Sequence, residues 1–419
     1  MNEVKSYCIS KHTFVEAYKC VKANRGAAGV DNQSIKEFEE NLKDNLYKIW
    51  NRMSSGSYFP PAVKTVEIPK ADGKKRKLGI PTVGDRIAQM VVKTHLEPLI
   101  EPYFHPDSYG YRPGKSAIQA LGVARKRSWE YDWVIDMDIQ GFFDNIDHEL
   151  MMKAVRKHTQ EPWILLYVQR WLEAPAQEPD GSRTKRTKGT PQGGVISPLL
   201  ANLFLHYTFD EWMKRNYPGN PFERYADDVI VHCKTEEEAI KLQETIRVRL
   251  QECKLELHPE KTKIVYCKDS NRKGGSPHEK FDFLGYTFRP RLSKNKYGKL
   301  FTNFSPAMSD KAKQNKRDEI KKWFKRVKPT EILEEFARIA NPIVIGWINY
   351  YGKYHASELW RTMQYLDENL IRWAKRKYKK LKHSWKKGNR WLKEIKRREP
   401  NLFKHWQWMQ RNDLDRRAV

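Results

Sequence analysis

Two adjacent aspartates, Asp227 and Asp228, lie between apolar runs that are each too short for a helix. Residues 222–226 and 229–233 are predicted as two strands, with the Asp pair at or next to the tight turn between them. Such a turn brings two carboxylates into one small volume, where cations relieve their repulsion. Mg²⁺ suits this setting because it takes one or two carboxylates together with substrate phosphates. The stretch therefore predicts a two-metal phosphoryl-transfer site; the alternative is an acidic surface turn.

The formal net charge of +27 over 419 residues indicates a polyanionic partner, for which nucleic acid is the default. Aromatic residues make up 12% of the chain, and their rings can build cores or stack on bases. The five cysteines form no C-x-x-C pair, which argues against a zinc finger, and no apolar run reaches the roughly 18 to 20 residues of a membrane span. The first residues lack a signal-peptide layout. We expect a cytoplasmic, nucleoid-associated protein without a membrane partner.

Residues 63–69 alternate with period two and residues 76–81 follow a turn, which predicts a β-hairpin. Lys70 and Arg76 are among the cations near its tip. They could form a solvated basic turn. Because the hairpin precedes the candidate catalytic aspartates, we favour the alternative that its cations bind phosphate. A second basic loop, 108–115, is either a plain connector or places Arg112 and Lys115 beside a nucleic-acid backbone.

Residues 131–138 are predicted as a strand whose alternation puts Asp136 and Asp138 on one face. If this strand ends near the acidic turn, a third carboxylate joins the pair. Three acidic ligands can hold two Mg²⁺ ions about 3.5–4 Å apart, one activating a 3′-hydroxyl and one the leaving pyrophosphate. Asp138, Asp136 and Asp144 all compete for the third position, and the pattern alone leaves the choice open.

Residues 189–198 form a Gly-rich loop before an apolar helix predicted over 199–212, with Ser197 as N-cap and Pro198 in the first position. The loop has more glycine than capping requires, which favours substrate contact by Gln192 and the backbone. Residues 281–288 are predicted as one strand. From about residue 306 the chain becomes helical and basic, and residues 371–399 carry fourteen Lys and Arg against two acids, a density that a nucleic-acid backbone would neutralise.

In this order the motifs resemble a group II intron-encoded reverse transcriptase (maturase) of the bacterial type. The resemblance covers nearly the whole chain in unbroken order. It rests on an N-terminal block at 25–31, fingers blocks at 66–81 and 109–114, palm motifs at 138–144 and 190–200, the catalytic turn at 225–228, a primer-grip block at 283–286 and a maturase thumb block at 346–351.

The resemblance implies catalysis by Asp138, Asp227 and Asp228, with Ile139 joining them as a metal-site residue. It implies two Mg²⁺ ions, with Mn²⁺ as a substitute. The implied nucleotide-binding residues are Lys70, Arg76, Gln192, Lys261 in a general-acid position, and Phe143, whose ring would exclude a 2′-hydroxyl. The implied primer-grip contacts are Leu284, Gly285 and Tyr286. The basic stretches add the predicted nucleic-acid contacts Arg112, Lys115, Lys375, Arg376, Lys377, Lys379, Lys380, Lys386 and Lys387. Asp136 and Asp144 revert to supporting roles.

The resemblance further implies an α+β right-hand polymerase fold of fingers, palm with an antiparallel sheet, and helical thumb. We expect an N-terminal extension at 1–58, fingers and palm at 59–295, a maturase thumb at 296–375 and a basic segment at 376–419. Longer family members end in a Cys/His-containing endonuclease domain, and nothing after residue 376 has that spacing. We therefore expect priming from another source, such as nascent strands at a replication fork.

The function implied is RNA-directed DNA polymerisation with dNTPs on an RNA template, from a DNA primer or target, with binding of the intron RNA to assist splicing and retrohoming. One alternative is a protein that acts mainly as an RNA-binding splicing cofactor. Another is a related reverse transcriptase recruited for host defence or repair. The intact set of Asp138, Asp227 and Asp228 favours retained polymerase chemistry.

Overall fold

The structure, a computed structural model, describes residues 6–69, 75–295, 297–326, 328 and 330–412, and the backbone of 413–417. Lys70 lies outside the described residues. Within them, no helix is both long and apolar enough to cross a membrane.

Helices dominate the described chain. A π-helical turn, His206–Asp210, joins two of them, and short 3₁₀ turns cover Glu101–Tyr103 and Lys379–Leu381. The helices are α1 Lys11–Ala23, α2 Ile35–Glu40, α3 Leu42–Ser54, α4 Val83–Ile100, α5 Ala117–Glu130, α6 Phe142–Asn145, α7 His148–Arg156, α8 Pro162–Glu173, α9 Ser197–Leu205, α10 Glu211–Asn216, α11 Glu236–Glu252, α12 Asp310–Arg326, α13 Leu333–Tyr351, α14 Ala356–Lys377, α15 Trp385–Arg398 and α16 Lys404–Arg417.

The strands form three sheets, of order β2-β1-β4-β5, β6-β7-β3-β8 and β11-β10-β9. They are β1 Val63–Pro69, β2 Lys75–Ile80, β3 Trp133–Asp138, β4 Ala176–Gln177, β5 Arg183–Thr184, β6 Phe222–Tyr225, β7 Asp228–Cys233, β8 Lys263–Tyr266, β9 Phe281–Phe283, β10 Tyr286–Lys294 and β11 Leu300–Met308. In the second sheet, β3 lies beside β7, so the strand that ends at Asp138 neighbours the strand that begins at Asp228.

The chain divides into two compact units. The first comprises Met1–Ala120, Ile135–Val231 and Glu237–Lys263. Its core includes one face of α4, where four apolar side chains recur at helical spacing and are fully buried: Ile87, Val91, Val92 and Leu96. The predicted hairpin is confirmed, since β1 and β2 pair antiparallel with Lys64 opposite Ile80.

The second unit comprises Leu121–Val134, His232–Glu236 and Ile264–Val419. Its core is helical, and α12 to α16 bury one apolar cluster whose largest fully buried members are Trp373, Trp406 and Phe403. A long hairpin pairs β10 with β11 from Tyr286 opposite Met308 to Lys294 opposite Leu300.

Two sequence predictions of local structure are wrong. Residues 281–288 are not one strand, because Leu284 and Gly285 both take positive φ (51° and 77°) and fold the chain back between β9 and β10. The helix predicted over 199–212 is interrupted by the π-helical turn, and Ser197 is its first residue rather than its N-cap. The Ser197 hydroxyl instead accepts a hydrogen bond from Thr190 Oγ1 at 2.9 Å.

Candidate active site

The acidic turn joins β6 to β7, with Tyr225 paired to Asp228. Ala226 and Asp227 are the two turn residues, and Ala226 has φ of 58°, a left-handed conformation that is costly for a residue with a Cβ. Burial raises the pKa of Asp227, and the Asp138 carboxylate acts in the same direction. A main-chain hydrogen bond, Arg76 and Arg224 oppose this, and the pKa of Asp227 remains above its usual range. The Asp138 carboxylate therefore lies near enough to Asp227 to contribute to the raised pKa of Asp227.

Asp138 ends β3, and two contacts from a following loop hold it. Its main-chain oxygen accepts a hydrogen bond from His258 N at 2.7 Å, and its carboxylate lies 2.8 Å from Lys261 Nζ. Ile139 is buried and forms an isolated antiparallel bridge with Leu257. The loop thus places Lys261, the predicted general acid, in an ion pair with Asp138, the predicted metal ligand.

These carboxylates have the hard oxygen donors that fit a divalent cation such as Mg²⁺. Across the described ranges, however, no group of three or more His, Cys, Asp or Glu side chains converges closely enough to hold a metal ion. Lys261 supplies the positive charge beside Asp138 in this conformation. The donor chemistry fits a divalent cation, and the convergence of all three aspartates stays a prediction.

The predicted nucleotide contacts are joined by hydrogen bonds. Arg76 Nε donates to Gln192 Oε1, and Gly79 N donates to Gln192 O at 2.7 Å, so the Gly-rich loop is attached to β2. Thr190 N donates to Phe143 O at 2.8 Å, which attaches the same loop to α6. The Phe143 ring is largely buried against Phe142. One loop therefore positions Arg76, Gln192 and Phe143 together.

A cavity of about 240 Å³ opens beside this loop, and its lining includes Lys77, Asp144, Arg186, Lys188 and Gln192. Burial lowers the pKa of Arg186, although the charges of Asp144 and Glu178 oppose the shift. Sequence reasoning missed Arg186 and Lys188. The signal was present, since residues 183–188 hold four Lys and Arg immediately before the Gly-rich loop.

Arg112 has an internal role that the sequence did not predict. Its buried guanidinium is paired with Glu101 at 2.7 Å and donates to the main-chain oxygens of His105 and Ser108. Its donors are thus used to shape the loop rather than presented to a phosphate. Lys115 Nζ donates to Pro106 O at 2.8 Å, and it also lies over the Tyr109 ring.

Tyr286 also needs correction as a nucleic-acid contact, because it is fully buried in the second unit. Its ring packs against Tyr350, Tyr351 and Tyr354, and its hydroxyl donates to Tyr350 O. Leu284 O accepts a hydrogen bond from Tyr350 Oη at 2.7 Å, and Gly285 O accepts one from Ser309 N at 3.0 Å. The primer-grip block is therefore fixed by the helical core of the second unit.

The basic C-terminal residues divide into two groups. At the end of α14, Arg376 Nη2 donates to Phe324 O, Lys377 Nζ donates to Glu331 O, and Lys375 Nζ lies 5.5 Å from the Trp385 ring centroid. The remaining four predicted contacts are exposed, namely Lys379, Lys380, Lys386 and Lys387. The ammonium groups of this second group are open to solvent, and their contact with nucleic acid stays a prediction.

Comparison with known proteins agrees with this arrangement. Residues 68–288, just over half of the chain, match the family described as reverse transcriptase (RNA-dependent DNA polymerase). Residues 313–391 match the group II intron, maturase-specific domain. These matches confirm the predicted family and the α+β right-hand polymerase fold class.

Several curated proteins are similar over long stretches. Protein YkfC of Escherichia coli is 30% identical over 326 residues, covering 68% of this chain and 82% of that protein. Group II intron-encoded protein LtrA of Lactococcus lactis is 34% identical over 203 residues, covering 48% of this chain but about a third of LtrA. Nuclear intron maturase 4 of Arabidopsis thaliana is 22% identical over 48% of this chain and 24% of its own.

The acidic hairpin lies beside the strand that ends in Asp138, and the Gly-rich loop is hydrogen-bonded to the basic hairpin. Both features lie within the matched residues 68–288, and a helical core follows them in the chain. The chain therefore belongs to the reverse transcriptase (RNA-dependent DNA polymerase) family and carries the maturase-specific domain of group II intron proteins.

Proposed function

We propose that this protein is an RNA-directed DNA polymerase of a group II intron, which extends a DNA primer with dNTPs and binds its intron RNA to assist splicing and retrohoming. The observation that carries the proposal is the placement of Asp138 at the end of β3, beside the strand that begins at Asp228. Its nucleic-acid partners favour a place at the nucleoid in the cytoplasm.

In this proposal Asp138, Ile139, Asp227 and Asp228 hold two Mg²⁺ ions. Bound Mg²⁺ would activate the primer hydroxyl and stabilise the charge of the leaving pyrophosphate. The chain's own contribution is to orient these carboxylates on two neighbouring strands. Lys261 Nζ, now paired with Asp138, is assigned the transfer of a proton to the leaving pyrophosphate.

The nucleotide would lie against the loop that joins Arg76, Gln192 and Phe143. Arg76 is exposed and offers a guanidinium to the triphosphate, for which a planar fork of donors is suited. Lys70 is assigned the same role from outside the described residues. The Phe143 ring is assigned to exclude the 2′-hydroxyl, so that dNTPs are selected.

The test is primer extension on an RNA template with Mg²⁺. The double variant Asp227→Ala/Asp228→Ala should lose synthesis by a factor of about 10³ or more, because both metal-holding carboxylates on the turn are removed. Asp44→Ala, on the exposed side of α3, is the matched control and should extend primers like the wild type. Undiminished synthesis by the double variant would refute the metal-site assignment.

A second role as a splicing cofactor is favoured by the maturase-specific match at residues 313–391. The same double variant separates the two roles in a splicing assay with the flanking intron RNA. Splicing that persists without polymerisation would show that RNA binding suffices for this role. Loss of splicing together with synthesis would tie both to the acidic site.

A further inference from the structure

A buried cation lies directly beneath the acidic turn. Arg224 is 0% exposed, and its guanidinium forms a bidentate ion pair with Asp210, which is also 0% exposed. Nε lies 2.7 Å from Asp210 Oδ1, and Nη2 lies 2.6 Å from Asp210 Oδ2. Replacing a buried ion pair of this kind by apolar side chains is often neutral or stabilising, so stability alone is a weak reason for its presence.

The third guanidinium nitrogen reaches the turn itself. Arg224 Nη1 donates to Asn202 Oδ1 at 2.9 Å and to the main-chain oxygen of Ala226 at 3.1 Å. Ala226 is the left-handed residue that immediately precedes Asp227. Because a residue with a Cβ adopts this conformation only when its surroundings determine it, the bond to its carbonyl helps to hold the turn in place.

A backbone segment also packs closely against the turn. Tyr109 N donates to Arg224 O at 2.8 Å, and Asn202 Nδ2 donates to Gly110 O at 2.6 Å. A Cβ added to Gly110 would lie 2.4 Å from Ala226 N, so this position has no room for a side chain. Both the Arg224 guanidinium and the Gly110 backbone therefore contact Ala226 of the turn.

The π-helical turn brings both acceptors to the same guanidinium. Asn202 lies in α9 and Asp210 ends the π-helical turn, eight residues later. In an uninterrupted α-helix two such residues would be about 80° apart around the axis. The wider π-helical turn reduces this offset, and such turns are frequent at functional sites.

We propose that Arg224, held by Asp210 and Asn202, is a positioning residue for polymerisation, fixing the Ala226 carbonyl and through it the direction of the Asp227 carboxylate. The inference rests on the proposed function, because it concerns how that site is built. The Arg224 guanidinium is fully buried, and its hydrogen bonds go to Asp210, Asn202 and the main-chain oxygen of Ala226.

The central variant is the double substitution Arg224→Met/Asp210→Leu. It removes both charges at once, so that neither is left buried and unpaired, and it removes the bond to Ala226 O. Arg224→Lys is the second variant, because an ammonium keeps the charge near Asp210 but cannot form the planar fork. Arg170→Met is the matched control, since the Arg170 guanidinium clamps the main-chain oxygens of Gly56 and Tyr58 in the same unit.

Two measurements are made on each folded full-length variant. In steady-state primer extension we expect kcat of the double variant and of Arg224→Lys to fall about 100-fold, with KM for dNTP changed by less than about threefold. By electron paramagnetic resonance we expect Mn²⁺ to bind about 10-fold or more weakly to both, because a misdirected carboxylate is a poorer ligand. Arg170→Met should keep wild-type values of both, whatever its melting temperature.

The outcomes are distinguishable. Wild-type kcat and wild-type Mn²⁺ binding in either Arg224 variant would overturn the positioning role, and Arg224→Lys decides the matter if the double variant does not fold. A parallel loss in Arg170→Met would also overturn it, because general destabilisation would then be the cause. If the wild type extends no primer, the proposed function fails, and the Mn²⁺ measurement on the same variants still supports or refutes the positioning of Asp227.

Discussion

The proposed role of Phe143, exclusion of a 2′-hydroxyl, requires that its ring and backbone are held in place. Its ring packs edge-to-face with Phe142 at 5.3 Å between centroids, and Thr190 N holds its main-chain oxygen. The neighbouring Gly189 has φ of 80°, and a Cβ there would lie 2.8 Å from Phe143 O. The backbone of Phe143 thus has little freedom to retreat from a bulkier sugar.

At this scale we predict that Phe143→Ala raises the incorporation of NTPs relative to dNTPs by about tenfold or more, because the steric barrier to a 2′-hydroxyl is removed. Primer extension with each nucleotide set measures the ratio. Phe38→Ala is the control: that ring of α2 is buried and stacks on Tyr18, so its loss should lower stability and leave sugar selection unchanged. An unchanged ratio in Phe143→Ala would remove Phe143 from this role.

At the scale of elements, one carboxylate connects three helices of the second unit. Asp367 of α14 accepts hydrogen bonds from Lys396 Nζ of α15 at 2.6 Å, and from His405 Nε2 and Trp406 Nε1 of α16 at 2.9 and 2.8 Å. Burial favours its protonated form, but the charges and hydrogen bonds of His405 and Lys396 outweigh burial and lower the pKa of Asp367.

The lowered pKa fixes the sign of a pH effect. The stabilisation by Asp367 is fully present above its unfolded pKa, about 3.9, and is lost as the pH falls through the lower pKa of the folded state. We predict that Asp367→Asn costs about 3 kcal/mol near neutral pH and flattens the acid limb of thermal unfolding curves. Asp318→Asn, on the exposed face of α12, should match the wild type. A steep acid limb in Asp367→Asn would contradict the assignment.

The hairpins and most helices were predictable because the spacing of apolar residues and the positions of turn residues agree with the observed elements, as in β1, β2 and α4. The bend at Leu284 was not, because an aliphatic residue at positive φ contradicts its own preference, and only tertiary contacts impose it. Arg224 was also missed. Its partner Asp210 lies fourteen residues earlier, at the end of a π-helical turn that no apolar period reveals.

At the scale of the whole molecule, the net charge of +27 predicts strongly salt-dependent binding of nucleic acid. Changing Lys379, Lys380, Lys386 and Lys387 to Gln should reduce the magnitude of the slope of log affinity against log salt by about 3 for single-stranded RNA. Fluorescence anisotropy across a KCl series measures the slope. Lys241→Gln, on the exposed face of α11, should leave it unchanged. An unaltered slope in the quadruple variant would place the polyanion elsewhere.

The left-handed alanine of the acidic turn has a consequence for order. Glycine at position 226 would adopt φ of 58° more readily, but it would also give the backbone beside Asp227 many more conformations. Alanine carries a conformational cost of roughly 1–2 kcal/mol in the folded state. Alanine at position 226 also leaves fewer backbone conformations to Asp227 than glycine would. The mild strain at Ala226 therefore limits the directions that the Asp227 carboxylate can take.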